Sequence, residues 1–178
     1  MVQINSKFGV GLMVASVLLS LLGTIGITIE DSVESIPTPN VPNSVFFADD
    51  PVQDNPLSLF VSANADITWD RSDVFLVVGD SDKKAQCDGL NFIERTNQNT
   101  ELCTRSDNDF VAIGDDNSSG FSWSVESGEY YVGIGSLNEI SGEFELNVDY
   151  EVELTLSASG YFFMVLMLFS GFVLNRFQ

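Results

Sequence analysis

Histidine is absent from the 178-residue chain, cysteine occurs twice, and seven lysines and arginines stand against 26 aspartates and glutamates. Without imidazole there is no Ser-His-Asp or Cys-His catalysis, and the usual zinc and copper sites lose their ligands. A net charge of −19 repels nucleic acid and anionic lipid and attracts cations, so nucleic acid is excluded as a partner. The cysteines form no C-x-x-C and there is no second pair, which leaves neither a redox motif nor a thiolate metal site.

Charge is also missing locally. Phe8–Ile29 and Ala158–Leu174 contain no Asp, Glu, Lys or Arg. A helix needs about 20 apolar residues to cross a bilayer core, so two transmembrane helices are expected, over residues 8–29 and 157–175, with the lipid bilayer as partner. A cleaved signal peptide is the alternative for the first block. Against it, the run exceeds the 7–15 residues of a usual apolar signal region, and no A-x-A site follows. Lys7 and Arg176 flank the blocks on their outer ends, and the positive-inside rule puts both in the cytoplasm. Residues 1–7 and 176–178 are then cytoplasmic tails of a two-pass plasma-membrane protein, with the acidic part outside. Gly9, Ser16, Ser20 and Gly23 form a stripe of small residues on the first helix that permits close approach of another helix, in the same chain, in a second copy or in another membrane subunit; mere tolerance of small residues by lipid is the other reading.

All 26 acids lie between Glu30 and Glu153, a stretch with only five bases and hence a formal charge of −21. It opens with all five prolines, Pro37, Pro39, Pro42, Pro51 and Pro56, among Asn and Asp, so residues 30–56 read as an extended acidic spacer. The Val45-Phe46-Phe47 triplet is expected to dock on the domain as an edge strand. Residues 57–154 read as short alternating strands: Leu57–Ala63, Asp73–Val78, Asn91–Arg95, Phe110–Ile113, Gly120–Val125, Glu129–Gly135 and Glu143–Leu154. Phe121, Trp123 and Val125, and Phe144, Leu146 and Val148, should face the core. No amphipathic helix is evident in the domain. The expected fold class is therefore an all-β sandwich of Greek-key or jelly-roll type, flanked by two transmembrane α-helices.

Cys87 and Cys103, both outside the cytoplasm on this reading, are expected to form one disulfide across the Asn91–Arg95 segment. Carboxylates are the remaining candidate chemistry. Asp80, Asp82 and Asp88 surround the Lys83-Lys84 turn, and Asp107, Asp109, Asp115 and Asp116 bracket the Phe110–Ile113 strand. Clustered oxygen ligands on loops suit Ca2+, the one cofactor left open, although no stretch matches an EF-hand loop; a solvated acidic surface is the other reading. Trp69 and Trp123, with Tyr130 and Tyr131, are read either as core residues or as a sugar-stacking platform. Asn117-Ser118-Ser119 is a glycosylation sequon on an expected loop. At high ionic strength so negative a surface repels itself far less, as in a marine or salt-adapted envelope.

Towards the C-terminus, Ser127-Gly-Glu-Tyr-Tyr is followed by Ser141-Gly-Glu-Phe-Glu-Leu. This pairing resembles the terminal hairpin of secreted pre-peptidase C-terminal-type β-sandwich domains over residues 121–152, about a fifth of the chain. The resemblance implies a sandwich without catalytic residues that serves as an accessory, adhesion or folding module; the cysteine pair and the flanking apolar blocks depart from it. The expected role is non-enzymatic: adhesion, scaffolding or an accessory subunit in the cell envelope. A displayed Ca2+- or glycan-binding module is the alternative.

Overall fold

The computed structural model describes residues 6–52, 54–96, 101–139 and 145–176. In chain order the elements are α1 (Ser6–Ile25), β1 (Ile27–Pro37), β2 (Val45–Phe47), β3 (Val61–Trp69), β4 (Val74–Asp80), α2 (Ser81–Asp88) and α3 (Phe92–Arg95). They continue with β5 (Ala112–Gly114), β6 (Phe121–Val125), β7 (Tyr130–Ser136), β8 (Glu145–Leu156) and α4 (Ala158–Arg176). Two four-stranded antiparallel sheets pack as a sandwich: sheet A, β1-β8-β3-β6, and sheet B, β2-β7-β4-β5.

The core follows from period-2 alternation. Ala63, Ala65, Ile67 and Trp69 of β3, Trp123 and Val125 of β6, and Leu146 and Val148 of β8 point inwards, onto Val74, Leu76 and Val78 of β4. The intervening residues of sheet A, such as Glu30, Asp66, Ser122, Asp149 and Glu151, point outwards. Expected core positions 121, 123, 125, 146 and 148 all pack into this cluster; Phe144 and the Ser141-Gly142 pair lie outside the described residues.

Sheet B differs. All of Val74–Val78 is buried, because the segment between β4 and β5 folds back over the outer face of the sheet. A second small cluster, Val45, Phe75 and Val77 with Phe47, Phe110 and Leu137, fills that space. Burial on both faces explains why β4 reads as an unbroken apolar run.

The structure departs from the sequence pattern in several places. The acidic spacer is partly strand: β1 begins at Ile27 and pairs with β8 except at a bulge between Val33 and Ile36, and β2 pairs with β7. Ile27-Thr28-Ile29 shares the lack of charge of the first apolar block, but β-branched residues suit a strand, and Gly26, at φ +79°, ends the helix first. The join to α1 is therefore one residue, not a flexible spacer. Asn91–Arg95 is not a strand: Asn91 caps α3, its side chain accepting from the Glu94 N–H while the Glu94 carboxylate accepts from the Asn91 N–H. A helix also occurs where none was evident. In α2 the buried pair is Lys83 and Cys87, four residues apart, so no apolar stripe announces it. Leu57–Phe60 is a turn, and β3 starts only at Val61. Finally, β7 and β8 do not form the hairpin that the pre-peptidase likeness implied, because they belong to different sheets.

Candidate functional site

Three regions could carry function: the helix pair, the carboxylate-rich loops, and the clefts along the sandwich.

α1 and α4 pack antiparallel against each other. A Cβ on Gly9 would lie 2.8 Å from the Gly171 carbonyl oxygen, and one on Gly171 would lie 2.7 Å from that of Gly9. Ser16 is buried, and its hydroxyl donates to the Met164 carbonyl at 2.6 Å. Gly23 abuts Leu156, and Thr24 and Tyr161 share a hydroxyl hydrogen bond of 2.8 Å. Gly9, Ser16 and Gly23 of the small-residue stripe thus face the chain's own second helix and its approach, while Ser20 is half-buried and its carbonyl accepts from Thr24. Around this small-residue seam the large side chains turn outwards: Val14, Leu18, Leu22, Phe162, Leu166 and Phe169 are exposed.

The acidic loops are tied to protein donors. Asp80 caps α2, accepting from the Lys83 N–H, and Asp82 lies in the first turn. Asp88 pairs with Lys84, and Asp115 with Arg105. Asp116 accepts from the Ser118 N–H and hydroxyl, which hold its carboxyl below the ordinary range. Lys83, only 5% exposed, forms an ion pair with Asp107 at 2.6 Å; Asp109 is 3.7 Å away, and the ammonium lies over the Phe110 ring. Burial pushes the Asp107 carboxyl up. The Lys83 hydrogen bond, the N–H groups of Cys103 and Asp109, and the Lys83 charge outweigh it and hold that carboxyl below its usual value. Among the described residues no group of three or more carboxylates converges as a metal site would require. Sequence reasoning found these acids but missed the buried Lys83 that pairs with Asp107 and Asp109.

Cys87 and Cys103 form the expected disulfide, with Cα atoms 5.6 Å apart. It clamps α2 to the loop that carries Asp107. Arg95 ties the same lobe to β2, donating to the Val45 carbonyl at 2.7 Å and lying over the Phe46 ring.

The chain matches no protein-family model and no curated protein. Among solved structures it is similar to a protein of Bacillus endospore appendages, described as a family of disulfide-linked pili, at 13% identity. That match covers 74% of this chain and 91% of that one, with a TM-score of 0.31. It is also similar to PliG of Aeromonas hydrophila, a periplasmic inhibitor of g-type lysozyme, at 10% identity, covering 73% and 86% with a TM-score of 0.28. Neither score is high enough to transfer a role.

Among the described residues, two open clefts stand out. One, about 570 Å3, lies where β5 and β6 part, and Ser122, Ser124, Glu126, Glu129 and Tyr130 contribute to it. The other, about 440 Å3, runs over the outer face of sheet A between Glu30, Asp66, Asp149 and Glu151. The sugar-platform reading fails for its tryptophans: Trp69 and Trp123 are buried, Trp69 donating to the Val74 carbonyl and Trp123 lying edge-on to Tyr130. Tyr131 is half-buried under Lys84.

Proposed function

We propose that the chain is a two-pass membrane protein that presents an acidic, disulfide-bonded jelly-roll sandwich outside the cytoplasm as a non-enzymatic scaffold or accessory domain. The observation that carries this is the inside-out build of the helix pair. Glycine and serine fill the seam while leucine, valine and phenylalanine face outwards, the arrangement favoured where the surroundings are hydrocarbon and close backbone approach drives packing. Both helices are long and apolar enough to cross a membrane. Each joins the sandwich through a single residue, Gly26 or Ser157, and β1 and β8, the strands they continue into, are neighbours. One insertion geometry therefore fixes the whole domain. The disulfide fits an oxidising compartment.

Contact of Gly9, Ser16 and Gly23 with α4 and its approach supports pairing of the two helices within the chain. Display of the acidic surface is the role the architecture serves best, with bilayer lipid as its one necessary partner.

Fractionation combined with protease added to intact cells tests this. The chain should sediment with membranes until detergent is added, and external protease should remove the region 57–150. Recovery in the supernatant after ultracentrifugation without detergent would overturn the reading, as would full protection of that region in intact cells.

A further inference from the structure

We infer that the turn Leu57–Phe60 is a third bilayer contact, dipping into the outer leaflet beside α4 with acyl chains as its partner; this rests on the membrane-spanning reading above. The turn is apolar and exposed. Residues 55–65 carry no charge, in a stretch that otherwise holds 26 acids, and Leu57 and Leu59 are 58% and 64% exposed.

Its position is fixed from below. The Leu59 carbonyl accepts from the hydroxyls of Ser157 and Ser159, and the Phe60 carbonyl accepts from the Ser157 N–H. The Phe60 ring packs on Phe163, with centroids 5.5 Å apart. Phe163 lies five residues into α4, roughly 7 Å beyond its start at the 1.5 Å rise of a helix. The Phe60 side chain therefore lies beside the first turns of α4, past the point where the chain enters the helix. On the other side Ile25 and Ile27 are exposed next to the α1–β1 join, so apolar side chains flank the sandwich end of each helix.

Most backbone N–H groups of the turn are already bonded within it. Phe60 and Val61 donate their N–H groups to the Leu57 carbonyl, Ser58 donates to the Asn55 carbonyl, and the Asn55 side chain donates to the Val61 carbonyl while accepting from the Leu57 N–H. Closing backbone groups internally is what hydrocarbon demands of any segment that penetrates it.

The full chain, reconstituted in phosphatidylcholine vesicles with or without doxyl-labelled acyl chains, provides the test. Both native cysteines are bonded to each other, so Leu57→Cys, Leu59→Cys, Leu18→Cys and Ser119→Cys each give one reactive thiol for an environment-sensitive fluorophore. Labels at 57, 59 and 18 should shift to the blue and lose most of their emission to the doxyl lipid, while the label at the distal residue 119 should be unaffected. Quenching at 18 with none at 57 and 59 would sink this inference and leave the spans intact. No quenching at 18 would remove the spanning reading itself. Either turn variant alone decides the outcome if the other does not fold.

Discussion

Sheets A and B each have four strands, and they treat their outer faces in opposite ways. The outer face of sheet A is bare and acidic: Glu30, Glu151 and Asp66 stand directly opposite one another on β1, β8 and β3, with no base in the row. Sheet B hides its outer face under α2 and the loop that carries Asp107 and Phe110, and the close packing of β2 on β7 requires Gly133, where a Cβ would lie 2.6 Å from a Val45 methyl. The bare sheet needs only alternation and neighbouring strands. The covered sheet has a second small core, and that core depends on one disulfide and one buried ion pair. Local stability should therefore be distributed unequally, and four perturbations probe the inequality.

The largest effect is expected from Lys83→Met. It leaves Asp107 buried without its cation, and removal of one partner from such a pair costs about 3–5 kcal/mol. Denaturant unfolding of the detergent-solubilised chain should show this loss. The double variant Lys83→Met/Asp107→Leu should recover most of it; no recovery would mean that the pair serves more than charge balance. Next, Cys87→Ala/Cys103→Ala should cost about 3 kcal/mol by restoring entropy to the unfolded loop. Hydrogen exchange should quicken in β2 and α2 before it does so in β3 and β8. Equal acceleration in both sheets would erase the contrast.

Acid provides the third perturbation. The folded-state pKa of Asp107 lies below its ordinary value of 3.8. Its contribution is therefore complete above that value and is lost as pH falls below it, through the folded pKa. Asp73, held down first of all by its hydrogen bond from Arg71, acts in the same direction. Stability measured against pH should fall below about pH 4, and Asp107→Asn should flatten that part of the curve. The smallest effect belongs to sheet A. Glu151→Thr removes the central charge of a like-charged row and should stabilise by about 0.2–1 kcal/mol. The gain should shrink when salt shortens the Debye length from about 30 Å to about 3 Å.

Sheet A is the more readable of the two from sequence, because one wet face gives clean alternation: Phe121-Ser-Trp-Ser-Val and Leu146-Asn-Val can be assigned directly. Its first strand escapes notice for a physical reason. Ile27-Thr28-Ile29 is as uncharged as the helix before it, and only the positive φ at Gly26 separates them. The cover of sheet B is unreadable because its burial on α2 is carried by one cysteine and a lysine, a type that no hydrophobic pattern counts. The cysteine pairing is legible, since two cysteines leave one disulfide. The destination of the acids is not: capping by Asp80 and pairing by Asp107 depend on donors brought close only by the fold. The capping signal Asn91-x-x-Glu94 stands in the sequence and outweighs the short strand pattern around it.

The pairing of β1 with β8 also sets a schedule. The earliest strand to leave the ribosome lies beside the latest, so no intermediate length of chain can close the sandwich, and topologies built on such distant contacts assemble slowly. Until β8 is made, β1 and β3 expose edges open to mispairing. The Glu30, Asp31 and Glu34 charges along β1, together with its bulge between Val33 and Ile36, discourage strangers during that wait. A polypeptide stopped short of Glu145 would thus be an unclosed, aggregation-prone intermediate rather than a smaller domain.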